Sequence, residues 1–233
     1  MMTTNSTSMN DKDYNNIGVD KLDTGEYYEA ITHFNKAVEI NPYNSGAYFN
    51  RSLAWQGINH PLRAIEDLDK AIELNPSYYK AFYQRGNINC DISKYDLAIL
   101  DYDKAIFFND QYFEAYNNRG HVNCTLENYI NAIEDYNNAL DINPFDKEAY
   151  FNRAYAYSEL RNYSKAIEDL KKAIEIDKNF VLPYRMLGIC QYNLGLFDEA
   201  KLNIEIALRL GDEDAEELLS LFDSYKDIDG LPF

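Results

Sequence analysis

The 233 residues carry 39 Asp and Glu against 22 Lys and Arg, a formal net charge of −17. A chain this acidic is repelled by nucleic acid and by anionic membrane surfaces, so neither is expected as a primary partner. The three cysteines (Cys90, Cys124 and Cys190) stand in no CxxC or Cys/His spacing, which points away from both a disulfide framework and a metal site.

The first ten residues, MMTTNSTSMN, are polar and lack the apolar core of a signal peptide, and they are read as a disordered lead-in. No run approaches the roughly 18 apolar residues that span a bilayer. No membrane insertion is expected, and the expected setting is cytoplasmic.

From residue 11 the chain repeats itself. AIEDLDKAIELNP (64–76) returns as AILDYDKAIFFND (98–110), AIEDYNNALDINP (132–144) and AIEDLKKAIEIDK (166–178), each 34 residues after the last. The period divides the chain without a gap into six units: 11–44, 45–78, 79–112, 113–146, 147–180 and 181–214. Two columns are all alanine: Ala30, Ala64, Ala98, Ala132, Ala166 and Ala200, and, seven residues on, Ala37, Ala71, Ala105, Ala139, Ala173 and Ala207. That spacing places them on one helix face. A small column (Gly18, Ser52, Gly86, Gly120, Ala154, Gly188) lies on the preceding helix. Glycine there costs roughly 1 kcal/mol against alanine, a cost that close backbone approach would explain. Tyr14, Tyr48, Phe82, Tyr116, Tyr150 and Tyr184 form an aromatic column, and Tyr27, Tyr95, Tyr129, Tyr163 and Phe197 another, broken by Pro61. Pro61 fits the first position of a helix. Pro42, Pro76 and Pro144 stand where a second helix should stop.

Period, Ala and Gly columns, aromatic columns and closing proline together resemble the tetratricopeptide repeat (TPR) family over residues 11–214. Asp110, Lys178 and Asp212 depart from the closing proline, Ser52 and Ala154 from the glycine, and Tyr or Phe replaces the family's early Trp. The resemblance implies an all-α, right-handed superhelical solenoid of antiparallel helix pairs, with the first helix of each pair lining a concave groove. After the sixth unit, AEELLSLFDSYKD (215–227) sets Ala215, Leu218, Leu219, Phe222 and Tyr225 on one stripe with acids behind it. This suits the polar-backed capping helix that an open-ended array needs. Residues 212–229 carry a net charge of −7, either a solvated end face or a docking surface for a basic partner. No structure is assigned to IDGLPF (228–233).

Arg51, Arg85, Arg119 and Arg153 share one column, and Asp67, Asp101, Asp135 and Asp169 share another sixteen residues later. The first and last units lack both, having Ile17 with His33 and Leu187 with Asn203. With a turn near the fifteenth residue of each unit, the two columns reach the same height. Structural ion pairs within or between adjacent hairpins are expected. An Arg ladder gripping an acidic ligand is the other reading, set aside because each Arg arrives with its own Asp.

The resemblance implies that the sixth position of each unit faces the groove. It reads Asn16, Asn50, Gln84, Asn118, Asn152 and Met186. Carboxamides offer both a donor and an acceptor, so such a row can hold the backbone of an extended peptide, or it can simply bond neighbouring helices. Phe49, Tyr83 and Phe151 would add apolar contacts, with Asn15 and Asn117 between them and Asn87 and His121 nearby. Aromatics at this position also pack between repeats. Family co-chaperones hold the acidic tail of heat-shock chaperones with Lys, Asn, Asn, Lys and Arg. The corresponding residues here are Asn15, Val19, Asn50, Lys80 and Gln84, of which only Asn50 and Lys80 match. The next window (Phe49, Leu53, Gln84, Glu114, Asn118) retains none, and that ligand is not expected.

His33, His60 and His121 lie in different units and columns, which argues against a metal cluster. No phosphate loop, nucleophile elbow or HExxH occurs. Cys90 and Cys124 share a column, but neighbouring helices sit about 8–10 Å apart, too far for a disulfide without movement. Neither catalysis nor a cofactor is expected. The reading is a scaffold or adaptor that binds a peptide or partner domain in the groove. The alternatives are a self-associating structural module, at most a weak homo-oligomer, or the regulatory portion of a larger enzyme or of a secretion or assembly complex.

Overall fold

The computed structural model describes residues 9–226, with side chains described through residue 220. Its helices fall into two compact units, one ending at Asp110 and the other starting at Gln111. The first unit holds α1 (Asp11–Asp23), α2 (Tyr27–Ile40), α3 (Ser45–Gly57), α4 (Pro61–Leu74), α5 (Tyr79–Asp91) and α6 (Tyr95–Phe108). The second holds α7 (Phe113–Thr125), α8 (Tyr129–Ile142), α9 (Lys147–Glu159), α10 (Tyr163–Ile176), α11 (Leu182–Asn193), α12 (Phe197–Arg209) and α13 (Asp214–Lys226). Within each unit, every odd helix up to α11 packs against the even helix that follows, and successive pairs stack. Among the described residues no helix is long and apolar enough to cross a membrane.

Local chemistry explains where these helices start and stop. Asn10 caps α1: its side chain accepts from the Lys12 and Asp13 N–H groups, and Asp13 accepts from the Asn10 N–H at 2.9 Å. The lead-in expected to be disordered through residue 10 therefore gives Asn10 to the helix, while residues 1–8 lie outside the described residues. The turn inside each pair has one shape. Gly25, Asn59, Ser93, Glu127, Arg161 and Gly195 all adopt positive φ, between 57° and 76°. The N–H of the next residue reaches back five residues, as in His60 to Trp55 (2.9 Å) and Lys94 to Asn89 (2.7 Å), closing a Schellman motif.

Four of the even helices, α2, α4, α8 and α10, stop for a reason the proline column hid. Asn41, Asn75, Asn143 and Asp177 each accept, through a side-chain oxygen, the backbone N–H two residues on, at 2.9 to 3.3 Å. This Asx turn ends the helix whether or not proline follows. Lys178 is tolerated after α10 because Asp177 has already turned the chain.

Both alanine columns are fully buried. The small column is matched to the bulk of the residue sixteen positions later. A Cβ on Gly18 would meet the Phe34 ring at 2.5 Å, one on Gly86 the Tyr102 ring at 2.8 Å, one on Gly120 the Tyr136 ring at 2.9 Å and one on Gly188 the Ile204 side chain at 2.7 Å. Where the column holds Ser52 or Ala154, the partner position holds the slimmer Leu68 or Leu170, both fully buried. Summed volume is thus nearly constant in the first five pairs, as close-packed interiors require, while the last pair, Gly188 with Ile204, is smaller. At the far end, Ala215 of α13 is buried with Ile204 and Ala207, and Leu218 and Leu219 pack beside them. The side chains of Phe222 and Tyr225, and the tail 228–233, lie outside what is described.

Candidate functional site

Arg51 donates through Nε and Nη2 to the two carboxylate oxygens of Asp67 at 2.8 and 2.6 Å, and Arg153 treats Asp169 alike at 2.8 and 2.7 Å. Arg85 and Arg119 use the same two nitrogens on Asp101 and Asp135. The four carboxylates are buried and the Arg side chains are 17 to 23% exposed. A third nitrogen, Nη1, reaches sixteen residues backward: Arg51 to Asn35 (2.8 Å), Arg85 to Asp69 (2.5 Å) and Arg153 to Asn137 (2.6 Å). Each of these three guanidinium groups therefore clasps its own pair to the second helix of the preceding pair. Each of the four also lies over the aromatic ring three residues earlier, at 5.3 to 5.7 Å from Tyr48, Phe82, Tyr116 or Tyr150. Burial alone would lower the pKa of Arg85, but the Asp101 and Asp69 carboxylates outweigh it and hold the group above its ordinary range. Arg153 is raised by the same balance against Asp169.

The terminal pairs fill this place without an arginine–aspartate pair. Leu187 is buried, and Asn203 donates to the Gln191 side chain at 2.8 Å. In the first pair His33 stacks on Tyr14 at 6.2 Å, and its buried Nδ1 has no hydrogen-bond partner among the described residues.

The carboxamide row does not act as one set. Asn50 donates to Asn15 at 3.1 Å. Gln84 accepts from Asn87 (3.1 Å) and donates to Gln56 (3.4 Å), and Asn87 in turn accepts from the Tyr102 hydroxyl at 2.9 Å. Asn117 donates to Asp146 at 2.6 Å. Asn16 is exposed and Asn118 half-buried. The aromatic flank is largely spent on packing between successive pairs. Phe49 meets Tyr78 at 5.0 Å and Phe151 meets Phe180 at 5.5 Å, while Tyr83 meets Tyr102 at 6.0 Å within its own pair.

One place in the second unit differs. His121, Cys124 and Thr125 from α7, Tyr136 from α8, and Asn152 and Tyr155 from α9 line a cavity of about 260 Å³. It brings together two of the expected groove residues, His121 and Asn152. The half-buried Asn152 side chain makes no hydrogen bond among the described residues. Tyr155 is 41% exposed and meets the Tyr129 ring edge-on at 6.5 Å. Tyr129 donates to Glu159 at 3.3 Å, and Tyr136 donates to the Cys124 sulfur at 3.8 Å. Burial pushes the Cys124 thiol up, although the Tyr136 hydrogen bond opposes this. Burial, reinforced by Glu159, pushes Tyr155 up and Tyr129 to about 12. The cavity thus presents neutral rings, a neutral thiol and an amide, a surface suited to holding a side chain. Tyr155 and Tyr136 were missed from the sequence. Tyr155 lies 34 residues after His121, so comparing that column would have marked it.

The family pattern described as Tetratricopeptide repeat matches residues 14–44, 113–146 and 148–180. The crystal structure of MamA is 29% identical and superposes with a TM-score of 0.66 over 70% of this chain and 95% of that one. YrrB, described as a TPR protein with an unusual peptide-binding site, is 22% identical, with a TM-score of 0.71 over 82% of this chain and 97% of that one. An uncharacterized protein of Methanocaldococcus jannaschii is 42% identical over 41 residues, 18% of this chain, which spans about half (48%) of that relative's length.

Proposed function

Because the chain is a tetratricopeptide-repeat protein, we propose that it is an interaction scaffold holding a peptide or an extended segment of a partner protein along the first helices of its second unit. TPR proteins bind other proteins or peptides, and the finer reading rests on one observation. At the α7–α9 cavity the Asn152 amide keeps its hydrogen-bonding capacity for a ligand, whereas Asn50 and Gln84 are engaged with neighbouring side chains. The scaffold is non-catalytic in this reading: all three thiols are pushed up by burial, so none is poised as a thiolate. Free thiols suit a cytoplasmic setting. Self-association is the weaker reading, since two copies each bearing −17 repel.

Affinity capture with the wild-type chain and with an Asn152→Ala/Tyr155→Ala variant tests this. Specific partners should drop out of the variant while its unfolding midpoint stays put. Full retention of every partner removes the cavity from the binding site.

A further inference from the structure

We infer that the α7–α9 cavity takes a cationic side chain, Lys or Arg, from the bound segment. The inference rests on the scaffold reading and gives it a ligand chemistry.

Size comes first. Pockets for drug-sized ligands run from roughly 300 to 1,000 Å³. At about 260 Å³ this cavity falls just short of them and suits one long side chain. Its walls fit an alkyl stem that ends in a charge. Tyr155, which is 41% exposed, supplies ring surface above the buried Tyr136, and a cation over a tyrosine face is attracted by the ring quadrupole. The Asn152 carbonyl is an acceptor with no donor among the described residues.

The charge around the cavity points the same way. The cations on the first helices of this unit are already committed: Arg119 to Asp135, Arg153 to Asp169, Lys147 to Asp177, and Arg185 to Asp212 and Asp214. The Lys147 ammonium in turn holds the Asp177 carboxyl below its usual range. Among the described residues the acids beside the cavity have no such partners. Glu159 stands one helical turn beyond Tyr155 and, among the described residues, accepts only the Tyr129 hydroxyl. Glu127 occupies the turn after α7 and forms no salt bridge among the described residues. Three of the lining residues, His121, Cys124 and Thr125, sit in the last turn of α7, where the helix dipole also favours a cation. Both carboxylates lie close enough to raise Tyr155 and Tyr129 electrostatically, which keeps those rings neutral.

The test uses the full chain and short fluorescein-labelled peptides of Ser, Gly and Asn with one central Lys, Arg, norleucine or Glu, read by fluorescence anisotropy. Lys and Arg peptides should bind more tightly than norleucine, and Glu least. Tyr155→Ala and Glu127→Gln/Glu159→Gln should each weaken the Lys peptide about 5- to 30-fold, the range of a partly desolvated cation–π contact. Glu213→Gln/Glu216→Gln, which removes the same charge from the start of α13, should leave it within about twofold. Equal weakening by that control would reduce the effect to diffuse attraction and overturn the inference. Norleucine binding as tightly as Lys would also overturn it. In that case the scaffold reading survives if Asn152→Ala still weakens every peptide. Binding of no peptide at all would remove both.

Discussion

The four inner pairs and the two terminal pairs solve the same packing problem differently. Inside, a buried carboxylate is met by a forked guanidinium that also lies over a ring. In the last pair an apolar Leu187 and a neutral Asn203–Gln191 bond occupy the same columns. The difference follows from what lies behind the residue. Arg51, Arg85 and Arg153 reach back to Asn35, Asp69 and Asn137. The position behind Leu187 is Lys171, which would repel an arginine, and Ile17 has no preceding helix among the described residues. Charge is therefore installed as a complete set or left out. This accords with the behaviour of buried ion pairs: neutral replacement of the whole set is tolerated, while removal of one member is not.

The largest expected effect breaks one set. Arg85→Leu alone leaves Asp101 buried with only Asn89 as a donor and should cost about 3–5 kcal/mol in chemical denaturation. Arg85→Leu/Asp101→Asn copies the terminal arrangement and should recover more than half of that loss. If the double variant is as unstable as the single, the terminal columns are not an equivalent solution. A smaller effect tests the volume matching. Gly120→Ala drives a Cβ into the Tyr136 ring and should cost about 1–3 kcal/mol by overpacking. Adding Tyr136→Leu, the partner found opposite Ala154, should restore part of the midpoint shift. The smallest concerns the turns, where the terminal pairs use Gly25 and Gly195 and the inner pairs do not. Arg161 is held at φ 57°. Arg161→Gly should raise stability by up to about 1 kcal/mol, because the left-handed region penalises a Cβ. A lower midpoint would mean that the arginine side chain makes compensating contacts.

The helix pairs, the buried alanines and the Arg and Asp columns were legible in the sequence because each recurs at a fixed period in nearly invariant residue types. Other features depend on how columns meet. Gly86 facing Tyr102 and Ser52 facing Leu68 form a pattern only when two columns are compared, and either column alone looks merely small or merely apolar. The backward acceptors Asn35, Asp69 and Asn137 resemble an ordinary solvated face. Asn41 and its equivalents were overshadowed by the proline beside them. The cavity was least accessible, since α7, α8 and α9 each contribute side chains and its shape depends on their directions. Direction also decides the aromatic flank: Phe49 and Phe151 turn toward Tyr78 and Phe180 rather than lying open.

The forward reach of the inner arginines has a consequence for how this chain can change in length. Arg51, Arg85, Arg119 and Arg153 each find their carboxylate sixteen residues ahead, across the turn at Asn59, Ser93, Glu127 or Arg161. A residue added in such a turn would rotate and displace the following helix, carrying the carboxylate off the fork. Surface loops ordinarily absorb insertions at small entropic cost. Here each inner turn acts as a ruler and is closed to that growth. The turns at Gly25 and Gly195 measure no guanidinium against a carboxylate, which makes them the natural places to splice in a tag.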